Sequence, residues 1–340
     1  MARVFLTGAS GYIGGHVLHE LAPDSRFSIV ALVRNPDHGK AIAAKYPKVR
    51  VVEGDLDDSQ TIETEASAAD IVLHLAHNKH IKSVEAIANA LSSRKLSSPA
   101  YYIQISGASV LAANELASKS FIPGSASDAT FDDYDGVEKL RDLIRAHQQS
   151  RIVDNFILDL AARSPGIQTA LIFPPIIYGQ GQGPVNQRSV QVPTLAKVTL
   201  IRGNGVQVGK GLNRWANVHI RDLGRLIGKL VGEASQKQPK DKLWSEHGLY
   251  LTGVGETTFA EISQRILESA KKQSLVKPDA VVEELYGEDA STVIPYGPIM
   301  YGTNARGKGR RAEVLLDWKQ NEESLDVEIP RAVAEEASRT

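Results

Sequence analysis

A glycine-rich stretch near the start of the chain most constrains its fold. It reads TGASGYIG over residues 7–14, directly after the apolar run at 4–6 and before a helical pattern of apolar residues. Gly8 permits a tight turn, Gly11 lets the backbone approach a phosphate, and Gly14 lets the helix pack closely on the strand. The free N–H groups and positive dipole end of that helix then face an anion. The stretch predicts binding of a dinucleotide pyrophosphate, with a purely structural glycine turn as the alternative.

Strand-like and helix-like segments alternate through the first 175 residues. Apolar runs typical of buried strands lie at residues 29–33, 49–52, 71–75, 101–105 and 167–173. Helical patterns lie between them, for instance at 83–91 and 152–162. Such alternation with short connections predicts an α/β fold with a doubly wound parallel sheet covered by helices on both faces.

The pattern changes after Pro174 and Pro175. Glycine-rich loops are predicted at 179–183 and 203–211, followed by a helix at 220–233 and a strand at 249–252. Thr258 and Glu261 form a capping box that opens a helix running to about residue 271. We therefore predict a second, smaller C-terminal domain that is discontinuous in sequence.

The predicted boundaries follow from these changes. The dinucleotide-binding domain is assigned to residues 1–175, with 215–252 returning to it. The substrate domain is assigned to 176–214 and 253–340.

Composition excludes several functional classes. With 340 residues, 42% of them hydrophobic, the chain can bury a large core. A net charge of −1 offers no electrostatic reason for binding nucleic acid or an anionic membrane. The absence of cysteine excludes disulfides, thiol nucleophiles and thiolate metal sites. No signal peptide or long apolar run is recognised, so we expect a cytoplasmic protein.

Several motifs together resemble one known family. Besides TGASGYIG they are GDL at residues 54–56, Leu75-Ala76, PPIIYG at 174–179 and VHIRDL at 218–223. In these the chain resembles the extended short-chain dehydrogenase/reductases of the NAD-dependent epimerase/dehydratase type, over nearly its whole length. The resemblance implies a Rossmann domain, a small substrate domain and a nicotinamide dinucleotide cofactor.

The same resemblance implies which residues contact the cofactor. Asp55 and Leu56 would lie beside the adenine, and Leu75 and Ala76 would line the cofactor groove. The complete predicted set is Gly8, Ser10, Gly11, Tyr12, Ile13, Gly14, Arg34, Asp55, Leu56, Leu75, Ala76, His77, Pro174 and Ile176.

Arg34 decides the expected cofactor. An NAD enzyme usually has an acidic residue after the second strand, which accepts from the ribose hydroxyls, whereas an arginine suits the 2′-phosphate of NADP. NADP is therefore favoured over NAD, with a solvated surface arginine as the alternative.

The catalytic residues of the family are not recognisable. Members of the family carry a Ser or Thr at the end of the fifth strand and a Tyr-x-x-x-Lys pair on the next helix, where the lysine lowers the pKa of the tyrosine. Here Gly107 occupies the position of the hydroxyl residue, with Ser106 and Ser109 on either side.

Two registers remain open for the missing Tyr/Lys pair. Tyr134 and Lys139 are five residues apart, which on one helix would direct them about 140° apart. Counting back from the sixth strand instead puts His147 and Arg151 near the Tyr and Lys positions, and their i, i+4 spacing predicts one shared helical face. His147 would then act as the acid or base. The alternative is that residues 147–151 are only the polar start of a helix and have no catalytic role.

The substrate and the reaction are less constrained. By resemblance, Tyr178, Asn186 and Trp215 border the substrate pocket, although Trp215 is equally compatible with buried packing. His74, His77 and His80 suggest a metal site, but a strand would turn His74 and His77 to opposite faces, so no metal is predicted.

We expect an NADP-dependent oxidoreductase acting on a small organic carbonyl or alcohol, with a non-standard active site. A catalytically silent NADP-binding regulatory protein and a non-redox isomerase, lyase or cyclase are the alternatives. The expected partner is a small-molecule substrate, with homodimerisation left open.

Overall fold

The computed structural model of the chain describes residues 1–94 and 98–339. Its strands are β1 (Ala2–Thr7), β2 (Phe27–Val33), β3 (Arg50–Glu53), β4 (Ile71–His74), β5 (Ala100–Ile105), β6 (Phe131–Asp132), β7 (Ile167–Phe173), β8 (Ile176–Tyr178), β9 (Gly205–Val208), β10 (Arg214–His219), β11 (Leu249–Leu251), β12 (Gly255–Thr258), β13 (Val282–Leu285) and β14 (Gly307–Lys308).

The α-helices follow in the same order along the chain. They are α1 (Tyr12–Leu21), α2 (Pro36–Lys45), α3 (Ser59–Ala68), α4 (Ile81–Ser92), α5 (Ala113–Ala117), α6 (Val137–Ala146), α7 (Ile152–Arg163), α8 (Gln191–Arg202), α9 (Ile220–Ser235), α10 (Phe259–Lys272), α11 (Gly287–Val293), α12 (Gly297–Met300), α13 (Arg310–Leu316) and α14 (Leu325–Ala337). The predicted capping box is present at the start of α10.

A seven-stranded parallel sheet forms the centre, in the order β11-β7-β5-β4-β1-β2-β3. Val4 of β1 lies opposite Ile29 of β2 on one side and Ile71 of β4 on the other. The chain thus adds β2 and β3 on one side of β1 and then crosses to place β4 on the other side. The predicted α/β fold with a doubly wound parallel sheet is confirmed. Such a crossing leaves a crevice at the carboxyl ends of the strands, where ligands bind in this kind of sheet.

Helices cover both faces of the sheet, and strand residues alternate between two cores. Phe5 and Val72 pack beneath α3, α4 and α7, whereas Leu6 and Leu73 pack beneath α1 and α9. Because successive strand side chains point to opposite faces, strands buried on both faces read as continuous apolar runs. This is why the strands were recognisable from the sequence.

Two prolines separate the second part of the fold from the central sheet. β7 ends at Phe173, and β8, which follows Pro174 and Pro175, pairs with β10 in a separate sheet of order β12-β10-β8. Proline has no N–H to donate to a neighbouring strand, so the pair interrupts the central sheet. Residues 215–219, which the sequence assigns to the first domain, pair with β8 and β12. β11 adds to the central sheet beside β7.

Candidate active site

The predicted glycine turn closes the end of β1 against the end of β4. Gly8 has φ +86°, and a Cβ there would lie 2.7 Å from the backbone nitrogen of Ala76. A Cβ on Gly14 would lie 2.2 Å from the carbonyl oxygen of Gly8. The Gly11 N–H donates to that same carbonyl oxygen at 2.9 Å. Side chains at positions 8 and 14 would therefore collide with backbone.

The turn leads into an uncapped helix N-terminus. Gly11 is the N-cap of α1 and provides no side-chain cap, so the first N–H groups of the helix have no side-chain acceptor there. A Cβ on Gly11 would approach only the Gly8 carbonyl oxygen, at 3.2 Å, and otherwise meets open space. A pyrophosphate requires backbone N–H donors and open space beside them. These residues provide both and therefore fit the predicted cofactor.

A cavity of about 410 Å³ lies beside this turn, and we call it the outer cavity. It contains most of the residues predicted to hold the adenosine half of the cofactor. Those predicted residues in its lining are Gly8, Ser10, Gly11, Arg34, Asp55, Leu56, Ala76 and His77.

Two polar residues of the outer cavity have contrasting surroundings. Arg34 directly follows β2 and is exposed, and within residues 1–94 and 98–339 no carboxylate pairs with it. Asp55 follows β3, and its Oδ1 accepts from the N–H groups of Asp57 and Asp58. Arg34 is therefore available to an anionic ligand, while the turn after β3 holds Asp55 in place.

The three histidines at the end of β4 have different surroundings. His74 is fully buried between Thr7 and Ser83, while His77 lies at the outer cavity and accepts from the N–H of Lys79 at Nδ1. His80 caps α4 by accepting from the N–H of Ser83. No cluster of metal-ligating side chains is present in the described part of the chain.

A second cavity of about 390 Å³, the inner cavity, adjoins the outer one at Gly11 and Ala76. Its lining includes the predicted cofactor residues Tyr12, Ile13, Gly14, Leu75 and Pro174. The remaining lining residues that bear on its chemistry are Asn78, Ser106, Gly107, Ser109, Pro175, Ile177, Val190, Gln191, Trp215 and Met300. Among the described residues of this lining no side chain is charged, so the cavity suits an uncharged, largely apolar group.

The family's hydroxyl position is open space in this protein. Gly107 has an extended backbone, with φ −166°. A Cβ there would lie 3.7 Å from Nδ2 of Asn78 and 3.8 Å from Oγ of Ser109, which are ordinary contact distances. The serines in the described lining are Ser106 and Ser109, and the hydroxyl of the lining residue Tyr12 donates to the carbonyl oxygen of Gly179.

The prediction that His147 and Arg151 share one helical face is wrong. His147 is the C-cap of α6 and Arg151 is the N-cap of α7, with a turn between the two helices. Nε2 of His147 lies 2.7 Å from Oδ1 of Asn114, while Arg151 donates to Oγ of Ser109 at 3.2 Å. Neither residue lines the inner cavity. The i, i+4 spacing predicts a shared face only within one continuous helix, and the turn between α6 and α7 interrupts the helix.

Tyr134 also lies away from the inner cavity. Its ring packs under the guanidinium groups of Arg310 and Arg311, 5.9 and 5.7 Å from the ring centroid. Lys139 lies over Phe131 and donates to the carbonyl oxygen of Thr130. The structure gives this pair packing contacts and does not bring it to the cavity lining.

The alternation along β8 separates two further predicted residues from the cavities. Ile177 lines the inner cavity, whereas its neighbours Ile176 and Tyr178 are absent from that lining because successive strand side chains point to opposite faces. The Tyr178 hydroxyl donates to the carbonyl oxygen of Glu323 at 3.0 Å. Neither cavity therefore contains these two side chains.

The other two predicted substrate residues differ in placement. Asn186 lies at the glycine turn, where its N–H donates to the Ser10 carbonyl oxygen, but it lines neither cavity. Trp215 does line the inner cavity, and its Nε1 donates to the carbonyl oxygen of Thr303 at 2.7 Å. Trp215 combines packing with a place at the cavity wall.

At the wall of the inner cavity and behind it lies a polar group of which sequence reasoning missed one member, Asp154. We call it the floor cluster: Ser106, Ser109, Arg151 and Asp154. Asp154 is 2% exposed and interacts with the Ser106 hydroxyl and the Arg151 guanidinium. Both interactions lower its pKa, but burial outweighs them and raises the pKa to about 6. One signal was available, since Asp154 precedes the apolar Ile157 and Leu158 at helical spacing and so falls on the buried face of α7.

Comparison with known proteins supports a nucleotide-binding scaffold. A family model described as NAD(P)H-binding matches residues 8–151. Oxidase ucsJ of Acremonium sp is 31% identical over 345 residues, covering 99% of this chain and 98% of that protein. An uncharacterized protein of Saccharomyces cerevisiae is 27% identical over 234 residues, covering 66% of this chain and 69% of its own length.

Solved structures share the fold over nearly the whole chain. The UDP-glucuronic acid 4-epimerase of Bacillus cereus, in complex with UDP-glucuronic acid and NAD, has a TM-score of 0.62 at 13% identity and covers 99% of this chain and 100% of its own. DesIV, a dTDP-glucose 4,6-dehydratase of Streptomyces venezuelae with NAD bound, has a TM-score of 0.66 at 17% identity, covering 98% and 96%. No helix within the described residues has the length and apolar character needed to cross a membrane.

Proposed function

Because the chain belongs to the extended short-chain dehydrogenase/reductase family, with its NAD(P)-binding scaffold, we propose that it is an NADP-dependent oxidoreductase acting on a small organic carbonyl or alcohol. The observation that carries the proposal is the pair of adjoining cavities at the carboxyl ends of the strands. They meet at Gly11 and Ala76, beside the uncapped N-terminus of α1. One cavity suits a dinucleotide, and the other leaves room for a reactant beside it.

The chain offers distinct groups to each part of the cofactor. The backbone from Gly8 to Gly14 would hold the pyrophosphate, and Asp55 with Leu56 would lie at the adenosine. Arg34 would pair with the 2′-phosphate of NADP, since it lines the outer cavity without a carboxylate partner among the described residues. When bound, the nicotinamide supplies or accepts a hydride at its C4 position.

The inner cavity favours an uncharged, mainly apolar substrate. Ile177, Val190, Trp215 and Met300 contribute apolar surface, and Asn78 and Gln191 contribute uncharged polar groups. A sugar nucleotide would bring a diphosphate that needs cationic partners, and the described lining contains none. The full-length relative carries the name of an oxidase, which supports a redox reaction over a non-redox one.

A catalytically silent NADP-binding regulatory protein is the second candidate. It is favoured by the lack of a Tyr–Lys pair in the described lining of the inner cavity. Such a protein would keep the cofactor contacts while its inner cavity performs no chemistry.

One experiment separates these functions. The purified protein is incubated with NADPH and a panel of carbonyl compounds graded in charge and apolar character, and absorbance of the reduced nicotinamide is followed. We expect oxidation of NADPH with apolar, uncharged compounds and none with Gly11→Val. Tight binding without turnover would favour the regulatory protein, and product formation without an absorbance change would favour an isomerase, lyase or cyclase.

A further inference from the structure

Building on the proposed redox function, we propose that Asp154, acting through the hydroxyl of Ser106, holds and supplies the proton for the reaction in the inner cavity. Ser106 would be the catalytic residue, because it lines the cavity, and Asp154 would be a positioning residue behind it. This pair would replace the tyrosine and lysine that the chain lacks.

The fold brings the two side chains together from distant parts of the sequence. Ser106 directly follows β5 on the same face as Tyr102 and Gln104, the face that α7 covers. Asp154 lies in the first turn of α7. Ser106 thus lies at the wall of the inner cavity, and Asp154 lies behind it on the helix that covers the same face of the sheet.

The floor cluster carries unmet hydrogen-bonding capacity. Within the described chain, Oδ1 of Asp154 and Nε of Arg151 are buried without a hydrogen-bond partner. Arg151 is itself only 9% exposed, and one of its guanidinium N–H groups donates to Oγ of Ser109. Buried charged groups are normally paired and fully hydrogen-bonded, and exceptions concentrate at functional sites.

The electrostatic surroundings support a proton held near neutral pH. Burial is the largest influence on the pKa of Asp154 and raises it to about 6, against the lowering effects of Ser106 and Arg151. Of the other ionisable groups near α7, Arg141 of α6 shares a cleft with Leu158, and its Nε has no hydrogen-bond partner among the described residues. Arg145 of α6 pairs with Asp159 at 2.7 Å, and the Tyr102 hydroxyl of β5 donates to Oε1 of Gln104 at 2.9 Å. An acid of this strength suits proton transfer near physiological pH.

The proton balance for carbonyl reduction is as follows. The carbonyl carbon gains a hydride from the reduced nicotinamide, and the C=O π electrons move to the oxygen. That oxygen takes the Ser106 proton, while Ser106 takes the proton of Asp154. The product is the alcohol, the nicotinamide is left oxidised, and Asp154 is left as carboxylate until a solvent proton returns through Ser106. Oxidation of an alcohol runs the same path in reverse.

The kinetic test compares Asp154→Asn, Ser106→Ala and the double variant. In the wild type, kcat/KM for reduction should fall as pH rises above about 6. Each single variant should lose this inflection and about 10²–10⁴-fold in rate. The double variant should be no slower than Ser106→Ala, because both residues serve one path. Asp159→Asn, at the exposed side of the same helix, is the matched control and should keep both rate and profile.

A second readout does not need turnover. In the cofactor-free protein, carbon-13 NMR of the aspartate carboxyls should contain a titration near pH 6 that disappears in Asp154→Asn. Ser106→Ala should move that titration to higher pH, because the Ser106 hydroxyl lowers the pKa of Asp154.

The two proposals fail in different ways. If no carbonyl compound is turned over, the proposed function is overturned. If the Asp154 titration stays in place in Ser106→Ala, or if Asp154→Asn keeps the wild-type pH profile, the coupling of Asp154 to Ser106 is overturned.

Discussion

The hydroxyl of Thr7 lies 2.6 Å from Nδ1 of His74 and joins the carboxyl ends of β1 and β4. The other ring nitrogen lies 3.1 Å from Oγ of Ser83 on α4. The imidazole is fully buried, and in its neutral form one ring nitrogen donates and the other accepts. The strand ends that frame the cofactor crevice are thus held by a histidine that must stay uncharged.

We therefore expect His74 to make stability depend on pH. Burial, aided by His80 and His77, lowers the pKa of His74 from 6.5 to about 3. Because the folded-state pKa lies below the unfolded one, the stabilisation is complete above pH 6.5 and is lost as pH falls toward 3. Between pH 6 and 4 the unfolding free energy should drop by about 1.4 kcal/mol per pH unit through this residue. Denaturant unfolding at a series of pH values measures the slope.

His74→Gln should reduce the pH slope by that amount. Part of the slope should persist, because burial also lowers the pKa of His16 to about 4. Ser83→Ala is the matched control, since it removes one partner of the ring and leaves the ring buried. It should lower stability at every pH and keep the slope. An unchanged slope in His74→Gln would contradict the expectation.

Arg34 should determine the choice between NADP and NAD. The wild type should bind NADP more tightly, and Arg34→Ala should lose about 1.5–3 kcal/mol of NADP binding, the strength of a charge-assisted phosphate contact. Its affinity for NAD should change little. Calorimetric titration of both cofactors measures this difference. Lys40→Ala, which removes an exposed positive charge from α2, should keep the preference. Equal affinity of the wild type for both cofactors would rule out the NADP assignment.

Gly11→Val should abolish cofactor binding and leave a folded protein. A Cβ at position 11 meets one carbonyl oxygen at 3.2 Å, a tight contact that a shift of a few tenths of an ångström relieves, while the branched side chain fills the approach of the pyrophosphate. Gly228→Val is the control, because a Cβ there meets nothing within 4 Å. Circular dichroism and calorimetry on both variants decide the matter. Retained affinity in Gly11→Val would place the cofactor elsewhere.

Three of the four polar residues considered for catalysis should differ in their effect on the rate. Ser106→Ala should lower the rate about 10²–10⁴-fold, as expected for loss of a group that transfers a proton. His147→Ala and Tyr134→Phe should stay within a few-fold of wild type, since neither residue lines the inner cavity. Steady-state kinetics with the best substrate of the carbonyl panel compares them. If the rate collapsed only in Tyr134→Phe, Tyr134 would be the residue that transfers the proton.

The cofactor half of the candidate site was predictable because its signals are local. Gly8, Gly11 and Gly14 lie within seven residues of one another, and the turn geometry and helix start that require them are set within that stretch. The strands were equally predictable, because a strand that is buried on both faces consists of a continuous run of apolar residues. These features depend on residues that are close together in the sequence. The sequence by itself therefore determined them.

The reaction half was decided only by the tertiary structure. Arg151 meets Ser109 across 42 residues, and the break between α6 and α7 turns His147 away toward Asn114. Likewise the pleat of β8 turns Ile177, and not Tyr178, to the inner cavity. Such contacts depend on how helices end and how strands pack side by side. Burial of the whole core decides these outcomes, and no local pattern around His147 or Tyr178 predicts them.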